Sequence, residues 1–486
     1  MILVESAEHA WIGDHITLKL EGGAKSAADT PLPVGTGTLT YGQCIALGGD
    51  FYGVVGSPIS TSADPRAAFA AAFQTLVQGW DQIPGILSIM QEEIDAVAAA
   101  QNDGRDPSMA YAQLGDSLSK RWNRATGGGS EAFDLVPMGR YLKLAAENWD
   151  HFAPFAVKAY EAGHAAAMDT AAGGDLEGAY AMNAFADHFL TDLFSAGHVR
   201  APRKELHDQV TTPMPGFSGT LGSLLARCMH DEDSSHGLKV TNKMGTSWTA
   251  YGDKRLLDFV SAQNRDVVVA AVQQSADEVW SAYQKTGESA GRALDFVPRF
   301  DLLVADPTSR DNSSPLFTMQ NDVVARRNNV ADRADYSWTT DWWGWSTFAL
   351  LMETHDYETA KVYNNVTGDF LGWLGCSSGN YVTVEKDEAN ASKVAWHFDG
   401  KNLYLRTETS GGDRFLGLSD RSYAGWGLNV PTGWWNPVVY ARDMTIGLAE
   451  SPRRILYLYD GQWVCWSDEN SEPQDVIRVD LPLTKP

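Results

Sequence analysis

One stretch of the chain combines charged and apolar residues in a pattern that limits how it can fold: Asn183-Ala-Phe-Ala-Asp-His-Phe-Leu-Thr-Asp-Leu-Phe-Ser-Ala-Gly-His198. Within it, three residues separate His188 from Asp192 and five separate Asp192 from His198. On a helix with about 100° per residue, His188 and Asp192 lie about 40° apart, and His198 lies about 80° to the other side of His188. All three side chains can therefore face one cavity.

The residues around these three side chains are apolar, so we expect a buried helix over about residues 176–198. An imidazole or carboxylate that is buried without a partner costs several kcal/mol. A single histidine on such a helix commonly bonds to the backbone. Two histidines and an aspartate at this spacing instead favour a shared divalent cation, and imidazole ligands favour zinc.

Length and charge limit the class of protein. A chain of 486 residues predicts two or three domains. A formal net charge of -24 opposes general binding to nucleic-acid phosphates and to anionic membranes. No apolar run approaches the ~20 residues that cross a bilayer. Glu5 and Glu8 follow Met1 too closely for a conventional signal peptide, so we expect either export by another route or an intracellular start.

The cysteines Cys44, Cys228, Cys376 and Cys465 are widely spaced. Their number and spacing do not form a disulfide framework or a metal-binding pair. Two interpretations stay open: reduced buried thiols, or one bridge within each half of the chain.

Helical periodicity dominates residues 1–300, which we predict to form a mainly α domain that contains the candidate metal ligands. The predicted helices cover residues 66–100, with a break near Gly79 or Pro84, and residues 108–124, 138–170, 176–198, 220–233 and 253–286. Residues 301–364 are predicted to be a linker and an aromatic-rich connecting segment. Its aromatic side chains favour packing over ligand binding; they are Trp338, Trp342, Trp343, Trp345 and Phe348.

Short β-like runs separated by turn residues fill residues 365–486. Related stretches begin at Gly368, Asp413 and Arg454, with spacings of 45 and 41 residues. Three copies of an approximately 40-residue unit predict an all-β, β-trefoil-like binding domain, with a β-sandwich as the alternative.

Further polar residues of the helical region complete the set. Five of the 11 histidines belong to it. Its members outside the central stretch are His9, Asp50, His151 and His230, the last followed by three acids. Ligands that come from several helices are typical of a multi-metal cluster built between them.

With these residues in place, roughly residues 1–290 resemble the zinc-dependent phospholipase C family, which also includes fungal single-strand-specific nucleases. The matching features, in chain order, are His9-Ala-Trp-Ile, Asp50 after a Gly-Gly turn, Asp150-His151-Phe152, the His188/Asp192/His198 spacing, and His230. The resemblance implies a helical domain that binds two or three zinc ions.

The chain departs from the family pattern at two points. The family takes a ligand from an N-terminal tryptophan amine, whereas this chain begins with Met1, eight residues before His9. The family also has an acid four residues after its late histidine, where this chain has Ser234. We therefore expect the acid to be Asp233, with Asp231 or Glu232 as alternatives.

The resemblance also implies roles for these residues. One ion would take Asp50, His151, His188 and Asp192. A second would take His198, His230 and Asp233, and a third would take His9 and share Asp192. Asp50 would orient the attacking water or act as its base.

The activity implied by the resemblance is phosphodiester hydrolysis, with a phospholipase C acting on phosphatidylcholine-like lipids at a membrane or micelle surface as the first choice. The products would be diacylglycerol and a phosphorylated head group. No nucleic-acid partner is expected from the charge. The alternatives are a single-strand nuclease or nucleotidase, and a non-catalytic, toxin-like surface-binding protein. The C-terminal region would bind a carbohydrate or another surface ligand.

Overall fold

The computed structural model describes residues 6–114, 117–130, 136–213, 218–286, 291–354, 357–398, 402–409, 412–419, 423–428, 436–441, 444–468, 473 and 475–481. Met1, which the chain has in place of the family's N-terminal tryptophan, lies outside these residues. The region up to about residue 300 is helical, and the C-terminal region is an all-β antiparallel sheet that curls into a half-barrel. Both parts of the predicted fold class are thereby confirmed.

The α-helices of the described residues are α1 (Ser6–Asp14), α2 (Tyr41–Leu47), α3 (Pro65–Val77), α4 (Ile83–Asn102), α5 (Ser108–Leu114), α6 (Ser117–Ala125), α7 (Arg140–Ala146), α8 (Phe155–Ala172), α9 (Leu176–Asp192), α10 (Ala196–Val199), α11 (Arg203–Gln209), α12 (Ser218–His236), α13 (Ala262–Gln284), α14 (Phe300–Ala305) and α15 (Gly344–Thr354).

The strands are β1 (Thr17–Leu20), β2 (Gly23–Ser26), β3 (Leu32–Val34), β4 (Gly37–Leu39), β5 (Leu238–Thr241), β6 (Ser247–Ala250), β7 (Phe317–Gln320), β8 (Val323–Arg327), β9 (Trp338–Thr339), β10 (Glu358–Thr359), β11 (Lys361–Asn364), β12 (Phe370–Cys376), β13 (Val382–Glu385), β14 (Lys393–Phe398), β15 (Leu403–Thr409), β16 (Gly412–Leu418), β17 (Ala424–Leu428), β18 (Val438–Tyr440), β19 (Ile446–Leu448), β20 (Ser451–Tyr459), β21 (Trp463–Trp466) and β22 (Ile477–Asp480).

Helix α9 lies at the centre of the helical region. It begins after Asp175, whose side chain accepts a hydrogen bond from the Gly178 N–H and so satisfies one of the free donors of the first turn. Every residue from Asn183 to Asp192 is buried. Phe185 packs its ring edge-on against Phe69, at 5.6 Å between ring centres. Because α9 is surrounded on all sides, its polar side chains must find partners inside the protein.

A buried polar network sets the rotation of α9 about its own axis. The Asp187 carboxylate accepts hydrogen bonds from the hydroxyls of Tyr41 (2.6 Å) and Ser275 (2.7 Å). One turn earlier, the Asn183 amide donates to the same two hydroxyl oxygens and pairs with His164 at 2.7 Å. These partners lie on α2, α13 and α8, so the network fixes which face of α9 carries His188 and Asp192.

Three predicted helices have different ends in the structure. Helix α9 ends at Asp192, and His198 lies on the separate short helix α10, because the chain turns through hydrogen bonds of the Ser195 N–H to Asp192 and of the His198 N–H to Ser195. The helix predicted over residues 138–170 is divided into α7 and α8 by residues 147–154, which contain the 3-10 turn Trp149–His151 and end at Pro154 immediately before α8. The helix predicted from residue 253 begins only at Ala262.

Three of the hairpins in the described part of the C-terminal sheet are β12–β13, β16–β17 and β20–β21. Its strand order is β10-β14-β15-β18-β19-β20-β21-β13-β12-β11-β22, with β16 joining β15 to β17. Only Ala360 separates β10 from β11 in the chain. The first strand of this order and one of its last two strands therefore come from the same segment.

These three hairpins are connected pairwise: isolated bridges join Tyr381 to Gly425 and Tyr423 to Cys465, and β13 pairs with β21 at Thr383 and Trp463. Two of the three hairpins each contain a buried tryptophan whose ring N–H donates to a backbone carbonyl of another hairpin. Trp426 donates to the Gly375 carbonyl at 3.2 Å, and Trp466 donates to the Gly417 carbonyl at 3.1 Å. These shared contacts favour the trefoil-like arrangement over the β-sandwich.

Residues 316–351 pack onto the helical region. Leu316, Phe317 and Val324 belong to the same apolar cluster as Phe152 and Met229. The aromatic side chains mostly pack as predicted, since Trp342, Trp345 and Phe348 border that cluster, whereas Trp343 is 52% exposed. The predicted division into three domains stays a prediction.

All four cysteines are free thiols. Among the described helices, none combines the length and the apolar composition needed to cross a bilayer.

The packing of α9 gives a testable expectation for stability. Phe185→Ala should lower the free energy of unfolding by about 3–5 kcal/mol, because it leaves a cavity at a fully buried position. Phe259→Ala is the matched control, because Phe259 is 60% exposed; it should change stability by no more than about 0.5 kcal/mol. Equilibrium urea unfolding followed by the helical circular dichroism signal measures both. Equal effects of the two substitutions would contradict the central position of α9.

Candidate metal centre

The structure brings together seven of the eight side chains predicted from the sequence. His9 lies on α1, Asp50 follows α2, His151 ends the short 3-10 turn Trp149–His151, and His230 lies on α12. With His188, Asp192 and His198 they converge between the helices. Asp253, in the turn after β6, joins them. Three groups have ligand atoms within 4.8 Å of one another: His9/His188/Asp192, Asp50/His151/His188 and His198/His230/Asp253.

The Asp192 carboxylate lies at the middle of the cluster. Its oxygens are 2.9 Å from His151 Nδ1, 3.2 Å from His198 Nδ1, 3.5 Å from His188 Nε2 and 3.7 Å from His9 Nε2. The Asp192 side chain is only 1% exposed. One carboxylate therefore contacts all three groups.

Asp50 reaches the cluster from a tight turn. Its carboxylate oxygens lie 3.6 Å from His188 Nε2 and 3.9 Å from His151 Nδ1. The preceding Gly49 has a positive φ of 65°, and a Cβ there would lie 2.5 Å from the His188 ring. Only glycine fits, so the Gly-Gly turn brings the backbone close enough for Asp50 to face the histidines.

His198, His230 and Asp253 form the third group. Asp253 Oδ2 lies 3.2 Å from His230 Nε2 and 3.9 Å from His198 Nε2, while the Ser195 hydroxyl donates to Asp253 Oδ1 at 2.8 Å. Gly197 lets α10 approach α12, since a Cβ at this position would lie 2.4 Å from the His230 ring.

The outer ring nitrogens determine which nitrogens can bind a metal. The Thr191 hydroxyl donates to the His188 carbonyl, so the hydrogen bond between His9 and Thr191 must come from His9 Nδ1–H. His188 Nδ1–H donates to the Ile45 carbonyl at 2.9 Å. Both histidines therefore direct an Nε2 lone pair at the cluster, as metal-bound histidines do.

Asp233 occupies a different position from the one predicted. It forms a buried two-bond ion pair with Arg200, at 2.6 and 2.9 Å, because the Arg200 fork faces it across the interface of α10 and α12. Asp253 takes the place beside His230. Asp231, the neighbour of His230 in sequence, accepts from His230 Nδ1–H at 2.7 Å and so leaves Nε2 for the cluster.

The cluster satisfies a simple test for metal binding. Within the described residues, both ring nitrogens of His198, Nε2 of His230 and Oδ2 of Asp192 and of Asp253 are buried without a hydrogen bond of acceptable geometry. Two atoms bound about 2.1 Å from a tetrahedral zinc lie about 3.4 Å apart. The carboxylate–imidazole contacts of the cluster are 2.9–3.9 Å long, and all donor atoms of each group lie within 4.8 Å of one another. Three buried His/Asp clusters could therefore hold metal ions.

The carboxylates shift the pKa values of the histidines unequally. Burial lowers the pKa of His151, but Asp192 and Asp50 outweigh it and raise that pKa to about 9. Burial also opposes protonation of His230, but Asp253 and Asp231 raise its pKa to about 10. At neutral pH, His151 and His230 are therefore protonated in the metal-free protein. A bound metal ion would replace these protons as the source of positive charge.

Two cavities border the cluster. One, with a volume of about 40 Å³, is bounded by Gly49, Asp150 and His151 and has mainly apolar walls; we call it the apolar cavity. The other, with a volume of about 20 Å³, is bounded by His9, Asp192, Asp253 and Tyr251. A small molecule could therefore approach the donor atoms from either side.

Sequence reasoning missed Asp253. It lies 23 residues after His230 and was assigned to the start of a predicted helix. Its neighbour Lys254 has a positive φ of 72°, so the chain here forms a turn that directs Asp253 inward. Ser234, where an acid was expected, was the available signal that another acid is needed.

Comparison of the chain with protein-family models, with curated proteins and with solved structures finds no match. The structure shows a helical region with buried His/Asp clusters, and membership of the zinc phospholipase C family stays a prediction, as does the identity of the metal.

We expect Asp253→Asn to weaken binding of one metal ion by more than about 100-fold, because it removes a charged ligand, whereas loss of an outer partner costs about 10–100-fold. Titration of metal-free protein with Zn²⁺ against a chromophoric chelator measures this. Ser234→Ala is the control and should bind all ions with unchanged affinity. Native affinity in Asp253→Asn would exclude Asp253 as a ligand.

Metal affinity should rise as the pH increases from 7 towards 10. His151 and His230 bind metal only after losing protons that they hold up to about pH 9 and 10. Both pKa values exceed the unfolded value, so the stability that these protons give the metal-free protein is complete below about pH 6.5 and is lost as pH rises through 9–10. Calorimetry in buffers of different ionisation enthalpy should show about two protons released at pH 7 from these residues. Binding without proton release would contradict the protonated state.

Proposed function

We propose that the protein is a metal-dependent phosphoric diester hydrolase. The observation that carries the proposal is the continuity of the three His/Asp groups: His188 belongs to two of them, and Asp192 contacts His198 of the third at 3.2 Å. Adjacent cation sites of this kind suit a tetrahedral phosphate, which offers several anionic oxygens to neighbouring positive charges.

Bound divalent cations would supply Lewis acidity, which stabilises charge on phosphoryl oxygens and makes water more acidic. The side chains of the chain hold the donor geometry. Asp192, at the centre, keeps the imidazoles of His151, His188 and His198 directed at a common point. Asp50 places a carboxylate at the side of His151 and His188, where it can orient a water molecule and accept its proton.

The apolar cavity supports a lipid-like substrate. Its walls include Val54, Ile59, Leu144 and Phe189, and it reaches His151 directly. An apolar ester arm could lie there with the phosphate at the cluster. The net charge of -24 disfavours a long polyanion. We therefore propose phosphatidylcholine-like lipid as the substrate, with hydrolysis to diacylglycerol and a phosphorylated head group.

A nucleotide or single-stranded nucleic acid is the second candidate. The rings of Tyr52, Phe185 and Phe189 border the same cavity, and aromatic rings can stack on a base. A short nucleotide would meet less repulsion from the acidic surface than a long polymer would.

The full chain should hydrolyse bis(p-nitrophenyl) phosphate, and a chelator should abolish the activity until Zn²⁺ is restored. Parallel assays should show phosphocholine released from phosphatidylcholine vesicles faster than nucleotides from single-stranded DNA. His188→Ala should lower the rate by at least about 100-fold, because His188 serves two groups.

His15→Ala is the matched control, since His15 is exposed and lies outside the groups. It should retain the activity of the unmodified chain. Full metal loading without hydrolysis of any phosphodiester would exclude the proposed function, and faster cleavage of DNA than of lipid would select the second candidate.

A further inference from the structure

Two buried arginine–carboxylate pairs lie behind the His198/His230/Asp253 group. Arg200 bonds to Asp233 through Nε (2.9 Å) and Nη2 (2.6 Å). Arg327 bonds to Glu232 through Nη1 and Nη2, both at 2.8 Å. The four side chains are at most 8% exposed. Two-bond contacts of this kind fix the orientation of both partners as well as their distance.

The first pair joins the two helices that carry ligands of one group. Arg200 follows His198 by two residues, and Asp233 follows His230 by three. His198 and His230 come from α10 and α12, with ring centres 4.9 Å apart. The ion pair therefore limits how far α10 and α12 can separate or rotate, and with them the two imidazoles.

The second pair attaches α12 to the segment that follows the helical region. Arg327, at the end of β8, also donates to the carbonyls of Ser314 (2.7 Å) and Val330 (2.5 Å). Arg200 donates to the adjacent Ser313 carbonyl at 3.0 Å. Both arginines therefore connect α12 to residues 313–330, which the sequence suggested were a linker.

Burial of four charges is a weak way to gain stability, because desolvation offsets most of the attraction within each pair. Apolar residues could replace the attraction within each pair by packing against the neighbouring apolar cluster, but the carbonyls of Ser314 and Val330 would lose a donor. What apolar residues could not supply is the fixed orientation of α12 relative to α10. The geometry therefore favours a role in alignment.

We infer that Arg200 and Arg327 are positioning residues that align His198 and His230 for metal binding, and that residues 313–330 are part of the metal centre. This inference rests on the proposed metal centre. It predicts that loss of a pair lowers the affinity for one metal ion. The affinity for the ions bound by the groups that contain His188 should not change.

The test uses the full chain with Arg327→Met and Glu232→Leu combined, so that no unpaired charge is left behind. Competition titration of the metal-free protein with Zn²⁺ should show about 10–100-fold weaker binding of one ion, with the others unchanged. His230→Ala identifies that ion, because it should remove the same binding step. Circular dichroism and thermal unfolding should show a retained fold.

The matched control combines Arg66→Met and Asp169→Leu, which removes an exposed ion pair of 2.9 Å with the same change of charge. It should leave the affinity for every metal ion unchanged. If the double variant at Arg327 does not fold, Arg327→Lys provides the test, because lysine keeps the charge but cannot form the two-bond contact. It should lower the affinity for the same metal ion.

Native affinity in a folded double variant, or in Arg327→Lys, would overturn the inference, as would equal weakening of all ions. Absence of metal binding by the unmodified chain would overturn both this inference and the proposed function. Selective weakening in a chain without phosphodiesterase activity would support the alignment role and exclude the proposed function alone.

Discussion

The buried carboxylate of Asp192 is the feature on which the structure of the helical region depends. Four histidines approach its two oxygens to within 3.7 Å, and burial would raise its pKa if they were absent. Its pKa is instead held well below the ordinary value, chiefly by His151, His188 and His198. A charge of this kind is tolerated in a protein interior only with polar or oppositely charged partners around it, so the helices must bring those partners together.

The helical region meets this requirement through several sets of hydrogen bonds and ion pairs. The Asp187 network sets the rotation of α9, so that His188 and Asp192 face inward. Outer hydrogen bonds, such as those from His9 to Thr191 and from His188 to Ile45, select the nitrogen that points at the cluster. The consecutive acids after His230 have three different partners, since Asp231 orients His230 while Glu232 and Asp233 each bind a buried arginine.

Much of the candidate site follows from residue type and spacing. Histidines and aspartates inside apolar helical patterns indicate buried polar groups, and each buried group needs a partner inside the protein. This is why His9, Asp50, His151 and His230 could be selected from separate segments before their positions were known. Asp233, which the resemblance placed beside His230, pairs with Arg200 in the structure, and Asp253 lies beside His230. Neighbouring acids on one helix do not reveal which of them faces an arginine from elsewhere.

The sequence by itself determined the helical and β-rich regions and most of the polar residues of the cluster, because periodicity and turn residues are local properties of the chain. Tertiary structure decided where α9 ends, which acid lies beside His230, and that residues 313–330 are connected to α12 through buried arginines. These outcomes depend on contacts between residues far apart in the chain, such as Asp253 with His230 and Arg327 with Glu232. Local patterns carry no information about such contacts, because each partner alone is compatible with an exposed turn or a surface ion pair.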